Sequence, residues 1–173
     1  MHDEIDAPDS NSIRRRDSQG VQTEAWKRTL EETDEIAEQR RNDGWEVVTV
    51  MTAHTDTVSR GMGDDETFGL VHVLPNNYVD EFTAAFDGDE FTEYLAYGTE
   101  VDGFMFVVTE FIDPETERSI LLPSRYDMAL ADGMVSSAAD AGVLYTHVKT
   151  IDGTILGTFE HEEFAPLVSK PNE

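Results

Sequence analysis

The sequence predicts an α+β fold: a mostly antiparallel β-sheet built from ββα-like units, with helices packed on one face and a long helix in front. Three observations point there. A single long stretch of helical periodicity opens the apolar part of the chain, β-rich runs then come in twos and threes, and each group leads into a short helical stretch.

Residues 1–19 are expected to be a disordered acidic tail, because Asp, Ser, Asn and Pro dominate and only Ile5 and Ile13 are large and apolar after Met1. Residues 20–170 are expected to form one α+β domain, since a chain of 173 residues can bury roughly two-thirds of its unfolded surface in a single core. From Val21 to Asn42 the apolar stripe Trp26, Leu30, Thr33 and Ala37, widened by Ile36, recurs at helical spacing, with Gly44 placed to stop the helix. Trp45 to His54 then reads as one central strand, apolar on both faces.

Asp56 to Asp65, with Gly61 and Gly63, reads as an exposed loop, and Thr67 to Leu74 as the next strand. Pro75 ends it. Asn77 and Asp80 have capping-box spacing ahead of a helix with Tyr78, Val79, Phe82, Ala85 and Phe86 on its apolar face, closing near Gly88. Phe91 to Tyr97 and Phe104 to Ile112 predict strands, with Gly98 and Gly103 as turn residues, and Asp113 to Thr116 turns the second strand back into Arg118 to Leu122. A helix is predicted from Tyr126 to Ala139, stopped by Gly142. The strands Val143 to Ile151 and Thr154 to Glu160 flank Asp152-Gly153, a strong hairpin signal, and a short helix at Glu162 to Val168 closes the domain.

Leu74-Pro75-Asn76-Asn77-Tyr78 and Leu122-Pro123-Ser124-Arg125-Tyr126 match as Leu-Pro-x-x-Tyr at what both read as strand-to-helix junctions. Duplication of a ββα unit would explain the match, and so would the general preference for Pro at helix starts.

Charge bounds the functional classes. There are 37 acidic and 12 basic residues, a net charge of -25, and the lysines are Lys27, Lys149 and Lys170 alone. Charge of one sign on this scale opposes compaction at ordinary ionic strength, and at 1 M salt, with a Debye length of about 3 Å, the penalty largely disappears. A partly disordered acidic chain is the alternative, and an apolar content of 39% argues against it. Clustered Lys and Arg are what a phosphate backbone requires, so the composition argues against a nucleic-acid partner. The basic triplet Arg14-Arg15-Arg16 is the exception. Without cysteine there is no disulfide, thiolate metal site or thiol nucleophile. Met1-His2-Asp3-Glu4 does not resemble a signal peptide, and no apolar run approaches the roughly 18 residues of a membrane span, so a cytoplasmic location is expected.

Five histidines are present, of which His2 and His161 look peripheral. His54, His72 and His147 fall on predicted strands and Asp56 is two residues beyond His54, so these four could converge on a divalent metal. Arg125, beside Tyr126 at the second Leu-Pro-x-x-Tyr junction and with Tyr78 at the first, could receive an anionic ligand at a helix start. Glu110 and Arg118 could pair across their hairpin. Gly61-Met62-Gly63 lacks a third glycine and a following helix, and no nucleophile elbow, phosphate loop or other cofactor motif occurs.

From residue 21 to 168, the acidic α+β pattern with its two Leu-Pro-x-x-Tyr junctions and the Ile151-Asp152-Gly153-Thr154 hairpin resembles the small uncharacterised protein families of halophilic archaea that carry domain-of-unknown-function labels. The resemblance implies adaptation to a salt-rich cytoplasm and carries no catalytic residues. Two functional readings follow. One is a non-enzymatic binding or protein-interaction domain, with a sheet edge or the Trp26 and Leu30 stripe as the surface for self-association. The other is a metal-assisted hydrolase using His54, Asp56, His72 or His147.

Overall fold

The computed structural model describes residues 20–60, 68–86 and 90–168. The expected tail, with Arg14 to Arg16, lies outside the described residues, as do Gly61, Gly63 and Gly88.

Helix α1 (Val21–Asn42) forms as its periodicity predicts, but its buried face is set by small residues. Ala25, Thr29, Thr33 and Ala37 are buried while Trp26, Leu30 and Ile36 straddle the contact half-buried. Short side chains let the helix lie close on the sheet beneath. Thr29 and Thr33 donate their hydroxyls to the carbonyls of Ala25 and Thr29, so the close contact leaves those groups satisfied. Gly44, at φ 91, and the bond from the Trp45 amide to the Arg40 carbonyl end the helix as expected.

Eight strands follow among the described residues: β1 (Glu46–Thr49), β2 (His54–Val58), β3 (Gly69–Val73), β4 (Glu93–Val101), β5 (Phe104–Asp113), β6 (Arg118–Asp127), β7 (Leu144–Lys149) and β8 (Ile155–His161). They make two four-stranded sheets instead of one. The first has the order β1-β6-β5-β4 and the second β2-β3-β7-β8. Most ladders are antiparallel, with β1 parallel to β6 and β3 parallel to β7. The α+β class holds.

The continuous strand expected over Trp45 to His54 is a corner between the sheets. The Val50 amide still donates to Leu121 of the first sheet, and by Ala53 the amide donates to Val73 of the second. Asp56, expected in a loop, is therefore in β2. Strand β4 runs through Gly98 to Val101 and turns at Asp102-Gly103, both with positive φ, the chemistry of a tight hairpin. Strand β6 continues through Pro123. Its neighbour β1 ends opposite Leu121, so the Pro123 nitrogen falls where no ladder bond is required, and Thr52 instead donates to the Pro123 carbonyl.

That continuation separates the two Leu-Pro-x-x-Tyr segments. Pro75 follows the end of β3 and precedes a 3-10 turn at Asn76–Tyr78 and helix α2 (Val79–Ala85), whereas Pro123 is inside a strand. The two segments are not equivalent junctions, which removes the duplication argument. The capping box at Asn77 also does not form, because the 3-10 turn occupies its place and neither start carries a side-chain cap. Helix α3 (Asp132–Ala141) begins six residues later than expected and ends at Gly142, φ 76; helix α4 (Ala165–Val168) is the last described element.

The sheets pack face to face. Met105, Val107 and Tyr126 of the first meet Leu70 and Leu144 of the second under Met134 and Ala138 of α3. At the other end Phe111, Ile120 and Leu122 meet Leu74, Val148 and Phe159 under Phe82 of α2. Helix α1 covers the outer face of the first sheet through Ala25 on Phe104 and Phe106 and Ala37 on Val108 and Leu121. At Gly69, φ 130, a Cβ would stand 2.0 Å from the Tyr145 carbonyl oxygen, so only glycine allows β3 and β7 to approach as they do.

Candidate binding cleft between the sheet edges

Strands β4 and β8 are free edges of different sheets on the same side of the molecule. Between the start of β4 and the end of β8 is a cleft of about 310 Å³. Its floor is aromatic, with Phe91, Phe111 and Phe159 buried and the last two stacked at 3.8 Å across the sheets. Thr92 and Glu93 form one wall, and Thr158 and Glu160 the other. The chain makes close contacts near both ends of the cleft. After β8 the backbone crosses onto β4, where the Tyr94 hydroxyl donates to the Glu163 carbonyl and Gly98 lies against Pro166. At the far end Phe86 lies on Gly157, where a Cβ would come within 2.8 Å of its ring.

His161 lines the same cleft. It is 2% exposed, its ring centroid is 4.2 Å from that of Tyr94, and its Nε2 shares a 2.7 Å hydrogen bond with Thr146 Oγ1. Its Nδ1 is buried without a partner. Burial holds the ring at a pKa of about 4, so it is neutral at physiological pH. His72, on the inner face of β3, shares its Nδ1 with Thr55 Oγ1 at 2.8 Å and leaves Nε2 without a partner. Burial, with the neighbouring His161 and His147, lowers its pKa to about 3. Thr109 and Ser124 of the facing sheet add two more buried hydroxyls without partners. The space between the sheets is thus apolar with an incompletely satisfied polar seam.

His161 was expected to be peripheral. The signal that locates it is the two-residue alternation of β8, in which Gly157, Phe159 and His161 are buried while Thr158 and Glu160 are exposed.

The structure separates the four metal candidates. His54 and Asp56 share the outer face of β2, both exposed, with Nε2 and Oδ2 3.6 Å apart. His72 faces inward, and His147 points outward from β7 with its Nδ1 on Thr158 Oγ1 at 3.0 Å. Among the described residues no group of three or more His, Asp or Glu is placed to hold a metal ion.

Arg125, Tyr126 and Tyr78 are not brought together either. Arg125 lies within β6 instead of at a helix start, and its guanidinium stacks over Trp26 of α1, 5.3 Å from the ring centroid. Tyr126 points to the opposite face, where its hydroxyl donates to the Leu167 carbonyl at 2.7 Å. Tyr78 is in the 3-10 turn before α2.

Glu110 pairs with Arg40 of α1, not with Arg118. Arg40 donates to both its carboxylate oxygens at 2.7 and 3.0 Å, Ser119 donates at 2.6 Å and Tyr97 at 3.1 Å. Burial pushes the carboxyl pKa up, but these donors outweigh it and hold it below the usual range. Arg118 instead bonds Asp113 at 2.7 Å and Glu90 at 2.9 Å. The ladder explains the exchange, because Arg118 is opposite Asp113 while Glu110 faces outward beneath α1.

The fold and site define a two-sheet α+β protein whose open sheet edges frame an aromatic cleft. By sequence, residues 13–169 match the DUF7529 family, a family of unknown function, and the chain belongs to it. No curated protein and no solved structure matches the chain. Among the described residues no helix is long and apolar enough to cross a membrane.

Proposed function

We propose that the protein is a non-enzymatic binding domain whose ligand occupies the cleft between β4 and β8. The observation that carries this is a cavity with a buried aromatic floor that also includes a neutral histidine with an unsatisfied ring nitrogen. The accessible lining is more polar than apolar, so the cleft offers a ligand hydrogen-bonding groups above a buried aromatic floor. The hydrolase reading would draw on His54, Asp56, His72 or His147; His54, Asp56 and His147 share the outer face of the second sheet and His72 faces inward, and among the described residues no three of them group around a metal position. The net charge of -25 supports a salt-adapted, cytoplasmic role, and a second copy or a protein partner remains compatible with the exposed edge of β4.

The test is a fragment screen by amide chemical shifts on the full chain in molar KCl. Hits are expected to move Thr92, Tyr94, Thr158 and Glu160. A screen whose hits all map elsewhere, or which finds none, removes the cleft as the binding site.

A further inference from the structure

Between their two apolar clusters the facing sheets carry a buried polar layer. The inward residues of β3 run Leu70, His72, Leu74 and those of β6 run Leu122, Ser124, Tyr126. Leu70 and Tyr126 belong to the cluster under α3, whereas Leu74 and Leu122 belong to the cluster under α2. Thr109 of β5 and Thr146 of β7 stand at the same level, each between residues of those two clusters. The layer is therefore sealed on both sides by apolar packing, and His72 and Ser124 are fully buried in it.

Strand order decides which of these groups meet. Strands β4 and β8 share one side of the molecule, where Tyr94 lies on His161, and β1 leads into β2 at the corner on the other. Between those edges β6 stands over β3 and β5 over β7, so Ser124 faces His72 while Thr109 faces Thr146, whose hydroxyl is already shared with His161. Thr55 holds the His72 ring by Nδ1 from the β2 side, which turns Nε2 into the sandwich. Neither His72 Nε2 nor Ser124 Oγ has a partner, and two such atoms facing each other in a core call for something between them.

The chemistry of the two groups selects what that is. Burial keeps the His72 imidazole neutral, and the layer contains no formal charge, so an ion there would be buried without a counter-charge. A metal ion would need more ligands, and the free nitrogen of His161 lies on the far side of β7. A neutral imidazole nitrogen donates or accepts according to its tautomer, and a hydroxyl does both, so the guest must be able to do both as well. Space is limited too. A serine between the large Leu122 and Tyr126 leaves room at its tip on the scale of the roughly 30 Å³ that a water occupies. We propose that one ordered water molecule is built into the core, bridging His72 Nε2 and Ser124 Oγ and tying β3 to β6 across the sandwich. This site is separate from the cleft and does not depend on it.

The test is a high-resolution crystal structure of the full chain grown from molar KCl, with data also collected at a wavelength where potassium scatters anomalously. A single density peak within about 3 Å of both His72 Nε2 and Ser124 Oγ, with no anomalous signal, is the expected result. Ser124→Ala is expected to lose that peak with the fold unchanged, and Thr109→Val, one strand away, to keep it. Three results in the unaltered protein overturn the proposal without any variant: an anomalous peak at that position, a direct bond between the two side chains, or no density between them. A peak that survives Ser124→Ala, or that disappears in Thr109→Val, overturns the assignment of the water to this pair.

Discussion

Two histidines buried in neutral form make the stability of this protein depend on pH above the range where its carboxylates act. His72 has a folded-state pKa of about 3 and His161 of about 4, against roughly 6.5 in an unfolded chain. Both are depressed, so the unfolded state takes up protons first as pH falls. The stabilising contribution is complete above the unfolded value, declines below pH 6.5 and is exhausted only near the folded values. At pH 5 each ring has lost about 1.5 units of linkage, or about 2 kcal/mol, so the pair together costs about 4 kcal/mol. That is a large part of the 5–15 kcal/mol typical of a domain. Glu110 and Asp113, whose pKa values are lowered, lose stability only as pH falls below the usual carboxylate range, so the interval from pH 7 to 5 isolates the imidazoles. The assay is urea unfolding followed by the fluorescence of Trp26 and Trp45 at constant molar KCl. The comparison is the double variant H72N/H161Q, in which the amides can keep the hydrogen bonds to Thr55 and Thr146. The variant is expected to be less stable at pH 7.5 and to lose less stability down to pH 5, keeping only the slope of His147, whose pKa burial also lowers. Parallel curves for the two proteins would refute the argument.

Three further predictions rest on separate features. Glu110→Gln leaves the Arg40 guanidinium without its buried counter-charge and should cost about 3 kcal/mol, with a red shift of Trp45 emission as α1 loosens; a loss below about 1 kcal/mol would show that the pair does not anchor the helix. Thr109→Val removes a buried hydroxyl that has no partner and should raise stability by about 1 kcal/mol, so a clear loss in urea unfolding would mean that the hydroxyl is satisfied in solution. The net charge of -25 predicts a melting temperature that rises from dilute buffer to molar KCl, and circular-dichroism melts that coincide would rule out charge repulsion as a governing term.

Elements whose period and end signals agree are legible in the sequence. Helix α1 is one, since its 3.6-residue stripe and Gly44 point to the same span. The β7–β8 pair is another, with Asp152-Gly153 at its tip and Gly153 at φ 98. Errors arise where one signal stands alone. Pro123 reads as a strand end because proline lacks an amide, but its amide position lies beyond the end of β1 and needs no donor. The run from Trp45 to His54 contains no breaker, so nothing local reveals that it leaves one sheet for the other between Val50 and Ala53.

The cleft is harder to read for a physical reason. Its walls belong to strands more than fifty residues apart in different sheets, so it exists only once there are two sheets and both edges are known. Phe91, Phe111 and Phe159 carry identical sequence signals whether they fill a core or floor a cavity, because both environments select large apolar side chains at every second position. Carboxylates add little discrimination in a chain with 37 of them, since nearly any surface opening has acidic neighbours. His161 differs in kind. A histidine in phase with Gly157 and Phe159 must face the core, and a buried imidazole has two ring nitrogens to satisfy. Thr146 supplies a partner for one of them, and the other is the polar group around which a ligand-binding reading can be built.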